Sequence, residues 1–417
     1  MAFDTRVTRL ARYSFVFDYF LSHLGYFAVM PILALWLPDK FSPFIAGCAM
    51  AAFGISVRAS TLVMGRLLRL LPFAAAMQIG LVAASVSFFV IGLQPNAPLL
   101  VVALLLAGAG INMNGSSIRH YLVESEASET TKLEIFGSIN IAVNVSAAVG
   151  PVIGNVLFAS TSNVIFFYTA ACYLAAAVVP ALTLSYKLRP RKADVRDSFV
   201  HRVIQPLGKA TVRWVVLGVV VGYMLYSQLF SSIAVAVSAH YTSPVIRGAV
   251  FAVNALSVVL LQPLGTRLIK KARDSGLSNQ TLVLVSPLVF LIALVAVKIN
   301  PFLGIIIFSF AETLFIPLVD AALLSLPMTG SLEAVQARQL VVATGEGIGL
   351  GLGVIVAPQW IALSAAVLIV CCFVVRLMSG EHDAKQCDKR FHPRLSIESA
   401  AIDTEPDKPT NRSMKRR

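Results

Sequence analysis

Apolar runs of about 20 residues, the length that a bilayer's hydrocarbon core requires of a helix, follow one another along most of the chain with short polar breaks between them. They predict membrane-spanning helices over roughly 14–37, 44–65, 73–93, 98–119, 133–158, 164–186, 214–238, 246–264, 280–298, 301–325, 337–357 and 360–378. The least apolar of these twelve spans are the second and the eleventh, which carry Arg58 and Glu346. Two polar stretches interrupt the rhythm. The segment 187–213 (KLRPRKADVRDSFVHRVIQPLGKATVR) divides the spans six and six. From 379 onward the chain is polar and basic, the composition of a disordered tail. The pattern therefore predicts an all-α membrane protein with an N-terminal six-helix half (1–186), a cytoplasmic linker (187–213), a C-terminal six-helix half (214–378) and a disordered basic tail (379–417).

Composition leaves little room for anything else. Hydrophobic residues make up 57% of the chain, charged residues 13%, and the mean hydropathy is +0.79. A soluble domain is about a quarter charged. The net charge of +13 would suit a nucleic-acid partner if it formed a patch, but the basic residues lie in loops and in the tail, so none is expected. With the N-terminus inside, the inner segments hold Arg6, Arg9, Arg12, Arg66, Arg69, Lys132, the basic residues of 187–213, Arg267, Lys270, Lys271, Arg273, Arg338 and the tail. The outer segments hold Lys40, Arg247 and Lys298. This is the positive-inside asymmetry, and it puts both termini in the cytoplasm of a cell with an inner membrane. Trp36 and Trp214 are then expected at the outer and inner interfaces, where aromatic belts sit. The N-terminal basic cluster precedes an apolar stretch as in a signal peptide, but that stretch contains Asp18 and no small-residue cleavage site, so it is expected to stay as the first span. Cys48, Cys172, Cys371, Cys372 and Cys387 show no metal or disulfide spacing, and all but Cys387 read as small buried hydrophobes. No cofactor is expected.

Two similar sets of six spans suggest related halves. Span two ends in Gly65-Arg66-Leu67-Leu68-Arg69 and span eight in Gly265-Thr266-Arg267-Leu268-Ile269-Lys270-Lys271, so a glycine and a short basic loop recur at the matching place. Parallel halves with a site at their interface near the midplane is a transporter arrangement. Span five reads Gly137, eight residues, Ser146, three residues, Gly150-Pro151, two residues, Gly154-Asn155. This resembles the fifth-helix signature of drug-proton antiporters of the major facilitator superfamily, in which Ser146 and Asn155 would be glycines. Ser146, Gly150 and Gly154 stand at i, i+4 and i+8, a smooth edge that lets another helix approach, and Pro151 removes a hydrogen bond and bends the helix. The same spacing also serves an ordinary packing seam.

Span one, with Asp18 and Leu24-Gly25-Tyr26-Phe27-Ala28-Val29-Met30-Pro31, resembles the first helix of bacterial multidrug-resistance exporters of that superfamily. Span ten, with Ala311-Glu312 and Pro317, resembles their tenth. The resemblance covers roughly 10–378 and implies the major facilitator fold, alternating access and proton-driven efflux. One loop departs from the pattern. Gly65 is followed by Arg69 where the family has an acid, and Pro72-Phe73 replace its glycine-basic part, so its gating details do not carry over.

Ionisable residues inside spans are costly and therefore functional candidates. Glu312 leads as a proton-coupling group because it stands about eleven residues into an apolar helix, near the midplane, although a protonated glutamate can also serve only to bond a neighbouring helix. Asp18 and Asp320 are further coupling candidates. Asp320 lies about 80° round the helix from Glu312 and nearer the cytoplasmic end. Glu346 sits in Gly345-Glu346-Gly347-Ile348-Gly349-Leu350-Gly351-Leu352-Gly353, a close-packing or bending helix and no phosphate loop, since no strand precedes it and no Lys-Ser/Thr follows. His23 could relay protons. Arg58 and Arg119 are candidate cavity residues, Arg119 also able to snorkel. Asn112, Asn144, Tyr223, Tyr226, Gln228 and Asn254 are candidate polar cavity residues, each equally able to bond helix to helix. Asn144 stands roughly opposite the small-residue seam and is expected to face the cavity. Asp18 and Arg58 lie at similar depths, about 6 and 10 Å from the cytoplasmic boundary at 1.5 Å per residue, on neighbouring spans. They are expected to pair, the alternative being Arg58 free to meet an anionic substrate.

These readings converge on a monomeric secondary transporter, proton-coupled and exporting small amphipathic molecules such as drugs or a siderophore. The alternative is a proton-coupled importer of a small metabolite. No HExxH pair, GxSxG elbow or metal-spaced cluster supports a membrane-embedded enzyme.

Overall fold

Asn96, Ser128, Ser243 and Ser278 each precede an apolar run, and each becomes a helix N-cap. Their side-chain oxygens accept from the N–H groups of Leu99, Thr131, Ile246 and Thr281, satisfying donors that a first turn leaves without a partner. The computed structural model describes residues 9–68, 70–125, 128–184, 203–207, 210–324, 331–356 and 358–378. Its first six helices are α1 (Arg9–Lys40), α2 (Pro43–Leu68), α3 (Phe73–Gly92), α4 (Ala97–Glu124), α5 (Glu129–Ser160) and α6 (Val164–Thr183). After the short α7 (Gln205–Leu207) come α8 (Ala210–Tyr226), a 3-10 turn (Ser227–Phe230), α9 (Ser232–His240), α10 (Pro244–Asp274), α11 (Asn279–Val285), α12 (Leu288–Ile299), α13 (Pro301–Leu324), α14 (Ser331–Ile355) and α15 (Pro358–Met378). These helices belong to one compact unit. Most of the expected linker, residues 187–202 and 208–209, and the expected tail from 379 lie outside the described residues.

Among the described residues, ten helical segments are long and apolar enough to cross a membrane, and they match the first ten predicted spans in order. The last two predicted spans are helical but less apolar. α14 carries Glu333, Arg338 and Glu346, and α15 contributes only a shorter apolar stretch, Gln359–Val370.

Two predicted spans are not single helices. Span seven is broken into α8, the 3-10 turn and α9. Ser227 Oγ bonds Met224 O at 3.0 Å, Gln228 Nε2 bonds the same carbonyl at 2.8 Å, and Ser231 Oγ bonds Ser227 O at 3.3 Å. Side chains that compete for ladder carbonyls loosen a helix. Span nine breaks between α11 and α12 at Ser286-Pro287, where proline lacks the N–H that the ladder needs.

Within the first half, α1 packs on α5 and α6, α2 on α4, and α3 on α4 and α6. In the second half, α10 packs on α13, α12 on α13, and α8 on α14. The halves join chiefly through α2 with α14 and α5 with α10, and α1 also meets α9 and the 3-10 turn. The outer surfaces carry exposed apolar side chains such as Val86, Phe89, Leu260, Ile292 and Val367, as a lipid-facing surface requires. Trp36 does not join an interfacial belt. It is 1% exposed, with its ring 4.7 Å from that of Phe166, because α1 is enclosed there by α6. Cys172 is buried as expected, whereas Cys48 is exposed.

Candidate functional site

The glycine run of α14 is read on two faces. A Cβ added at Gly345 would lie 2.5 Å from Val220 O, one at Gly349 would collide with Ser227 and Met224, and one at Gly353 would meet Ser231. These three, spaced by four residues, face α8 and its 3-10 turn. Gly347 and Gly351 face the other way, onto α2. A Cβ at Gly351 would be 3.0 Å from Gly47 O, and one at Gly47 2.9 Å from Gly351 O. Alternating glycines thus press α14 between α8 and α2 with backbone near backbone. The other contact between halves has the same character, since a Cβ at Gly248 of α10 would lie 2.9 Å from Pro151 O of α5. The contacts of Gly47 with Gly351, of Gly353 and of Gly248 lie toward the end of the bundle where α1 turns into α2 and α9 into α10, the distal end.

Toward the proximal end of that seam, Arg58 of α2 donates from Nε to Glu346 Oε2 at 2.7 Å. The Glu346 side chain is 3% exposed and that of Arg58 33%, so the pair is sealed on the acid's side and reaches open space on the guanidinium's. The expected Asp18–Arg58 pair is not formed. Similar depth did not decide it, because Arg58 points across to the opposite half and Asp18 back toward α4.

A cavity of about 260 Å³ lies on the proximal side of the inter-half contacts. Its wall includes Tyr19, Ser22, His23, Tyr26 and Phe27 of α1, Val57 and Arg58 of α2, and Ile111, Asn112, Asn114, Gly115, Ser116 and Arg119 of α4. Val143, Tyr173, Tyr226, Phe230 and Gln339 complete it. The distal floor is aromatic, with the Phe230 ring 6.5 Å from Tyr26 and 6.3 Å from Phe27. Asn112 donates to Ser60 Oγ at 3.0 Å and accepts from Ser116 Oγ at 3.1 Å. The His23 ring stacks on Tyr19 at 4.9 Å, and its Nδ1 lies 3.0 Å from Tyr19 O. Arg119 is exposed to this space. Among the described residues it has no carboxylate at ion-pair distance.

Two carboxylates stand just behind the wall. Asp18, fully buried on α1, accepts from Asn114 Nδ2 at 2.9 Å. Glu312 of α13 accepts from Asn254 Nδ2 at 3.3 Å and from the Tyr226 hydroxyl at 3.4 Å, so Tyr226 links it to the cavity. Asn254 also donates to Ser309 Oγ at 2.9 Å and does not line the cavity. Asp320 is instead ion-paired with Arg338, at 2.6 Å from Nη2.

Several expected cavity residues lie elsewhere. Asn144 donates to Asn140 O of its own helix at 2.8 Å, outside the cavity wall. Tyr223 is buried against Phe315, with ring centroids 5.4 Å apart. Gln228 is wholly enclosed, donating to Met224 O and to Gly349 O at 2.8 Å each and accepting from Ser232. It ties the 3-10 turn to α14. In the small-residue seam of α5, Ser146 Oγ donates to Phe20 O at 2.8 Å, a Cβ at Gly150 would lie 3.0 Å from Leu24 O, and one at Gly154 would collide with Ala28 O. That seam faces α1. Gly137 does not belong to it, because nothing lies within 4 Å of where its Cβ would be.

Sequence reasoning passed over Tyr19, Ser22, Tyr26, Ser116 and Gln339. A signal was present for the first four. Tyr19, Ser22, His23 and Tyr26 recur at the i, i+3, i+4, i+7 spacing of one helical face, as do Asn112, Ser116 and Arg119 at i, i+4, i+7. Each is a polar stripe in an otherwise apolar span.

Residues 15–337 match the family model described as Major Facilitator Superfamily. No curated protein matches the chain. Among solved structures, the chain is similar to a peptide transporter, POT, in complex with sulfate, at 13% identity and a TM-score of 0.71 over 89% of this chain and 95% of that one. It is also similar to a mutant of the nucleoside transporter NupG, at 12% identity and a TM-score of 0.70 over 88% and 99%. A POT family transporter in complex with 5-aminolevulinic acid aligns at 13% identity and a TM-score of 0.67 over 87% and 95%. Likeness at such identities speaks to the fold.

Proposed function

This chain belongs to the major facilitator superfamily, and on that premise we propose that it is a proton-coupled importer of a small polar solute bearing an acidic group. The observation that carries this reading is the cavity between the halves. At about 260 Å³ it is smaller than the 300–1,000 Å³ of drug-sized pockets. Its wall offers hydroxyls, carboxamides and two guanidiniums, of which Arg58 is committed to Glu346 and Arg119 faces the open space. A charge-assisted hydrogen bond from Arg119 would hold a carboxylate or phosphate group.

Glu312 is the proposed coupling group. It stands behind Tyr226, outside the cavity wall, so solute and proton can be bound together and need not compete for one carboxylate. Simultaneous occupancy suits co-transport, and an inward proton gradient then drives uptake. The peptide, nucleoside and 5-aminolevulinic acid names among the structural neighbours fit small polar solutes better than amphipathic drugs. Export is the second reading, favoured by the close-packed seam of α5 against α1. That seam explains helix packing, and Ser146 and Asn155 depart from the antiporter signature. We place the protein in the inner membrane as a monomer with both termini in the cytoplasm, where the cavity opens.

Reconstituted vesicles under an imposed inward proton gradient test the proposal with matched pairs of small solutes, each acid against its amide. The acids are expected to accumulate, and Arg119→Gln to lower that accumulation about tenfold or more, the scale of one charge-assisted hydrogen bond. Preferential transport of neutral amphipathic compounds, or outward movement, would contradict it.

A further inference from the structure

The Asp18–Asn114 contact leaves an unusual remainder. Asp18 accepts from Asn114 Nδ2 through Oδ1, while Asp18 Oδ2 and Asn114 Oδ1 are both buried with no hydrogen-bond partner. Both residues are enclosed, Asp18 at 0% and Asn114 at 4% exposure. Orphaned buried polar atoms are costly, and here both belong to the two partners of one hydrogen bond. Turning the Asn114 amide over does not help, because it sets oxygen against oxygen and strands the Nδ2 donor. Among the described residues no cation pairs with the acid. Its polar neighbours are Asn114 of α4 and Ser22 of α1, and the titratable groups beside it are Tyr19 on its own helix and Tyr173 on α6. Arg58 faces His23, one turn further along α1, and Arg119 faces both His23 and the Tyr19 hydroxyl, which it hydrogen-bonds. The α5 acid Glu134 pairs with Arg12 at 2.8 Å, six residues before Asp18 on α1.

We propose that Asp18 is a proton-binding site in its own right, holding its proton on Oδ2 and donating it to Asn114 Oδ1. A proton from the aqueous cavity adds to the carboxylate, and the resulting acid and the carboxamide form a ring closed by two hydrogen bonds, N–H to Oδ1 and O–H to the amide oxygen. One proton thereby satisfies both orphaned atoms and removes a buried uncompensated charge. The chain then holds one proton site in each half, each a carboxyl gripped by an asparagine: Asp18 by Asn114 and Glu312 by Asn254. Asn114 also lines the cavity, so a bound solute and the Asp18 proton are a single amide apart. The use of this proton in transport rests on the proton-coupled reading; its presence does not.

Infrared difference spectra of the purified protein, taken between near-neutral and alkaline pH in light and heavy water, separate the two ideas. Two protonated-carboxyl carbonyl bands are expected near neutrality, one lost in Asp18→Asn and the other in Glu312→Gln. Asn114→Leu is expected to shift the first band and leave the second in place. Asp18→Asn replaces the acid O–H by an amide N–H that donates to the same oxygen, so it is expected to melt within a few degrees of wild type, whereas Asp18→Leu strands Asn114 and melts lower. A spectrum in which Asp18→Asn removes no carboxyl band shows an ionised Asp18 and overturns the proposal. A band that is lost in Asp18→Asn, in a protein that shows no proton-driven transport, would leave this site standing and remove the transport reading instead.

Discussion

Arg58 and Glu346 meet across the two halves, and the two ends of the pair are unequal. Removing one partner of a buried ion pair costs about 3–5 kcal/mol because the other charge is left uncompensated. Here the orphan matters, since Glu346 is 3% exposed and Arg58 33%. Arg58→Gln strands a sealed carboxylate, while Glu346→Gln leaves a guanidinium that can turn toward the cavity. Thermal unfolding of the purified variants is expected to show the larger loss for Arg58→Gln and partial recovery in the double variant. Equal losses that add in the double variant would mean that the pair does not hold the halves. Glu312→Gln keeps the shape that Asn254 and Tyr226 grip but removes the titrating proton. It is expected to retain solute binding and lose gradient-driven accumulation, which binding and flux assays on the same preparation distinguish. Position within a predicted span was legible in the sequence for all these residues, and partnership was not. Arg58 and Glu346 are 288 positions apart, and the side of α2 on which Arg58 projects depends on helix rotation, which an all-round apolar span leaves undetermined.

At the scale of elements, hydropathy located the helices, whereas the caps at Asn96, Ser128, Ser243 and Ser278 emerged only from the structure. The break in span seven was hidden, because Ser227, Gln228, Ser231 and Ser232 are compatible with a helix until Gly349 and Gly353 of α14 make room for them. Span nine offered a clearer sign in Pro287. The glycines separate into those that bring backbones together and those that do not. Gly154→Ala is expected to melt well below wild type, since its Cβ would collide with the Ala28 backbone. Gly137→Ala is expected to be neutral or slightly stabilising, by up to about 1 kcal/mol, since its surroundings are open and alanine is the better helix former. Similar melting of the two variants would mean that α1 and α5 are not held by this seam.

For the molecule as a whole, six spans, a basic segment and six spans predict two halves. The end at which they meet depended on which glycines face which helix. Gly47 with Gly351 and Gly248 with Pro151 close the distal end, and the cavity lies on the proximal side, where α1 begins and α15 ends. Positive-inside charge predicts that this side is cytoplasmic, so reporter fusions at Asp194 and the C-terminus are expected to read cytoplasmic and one at Asn96 periplasmic. The opposite pattern would invert the direction in which the cavity opens. If a solute in the cavity and a proton on Glu312 cross together, the pH inside reconstituted vesicles follows the solute. A trapped dye reports that pH, with no gradient imposed, when the best-accumulated acidic solute is added outside. Solute-dependent acidification of the interior is expected, disappearing in Glu312→Gln while binding remains. Alkalinisation on solute entry, or entry with no change in pH, would contradict co-transport.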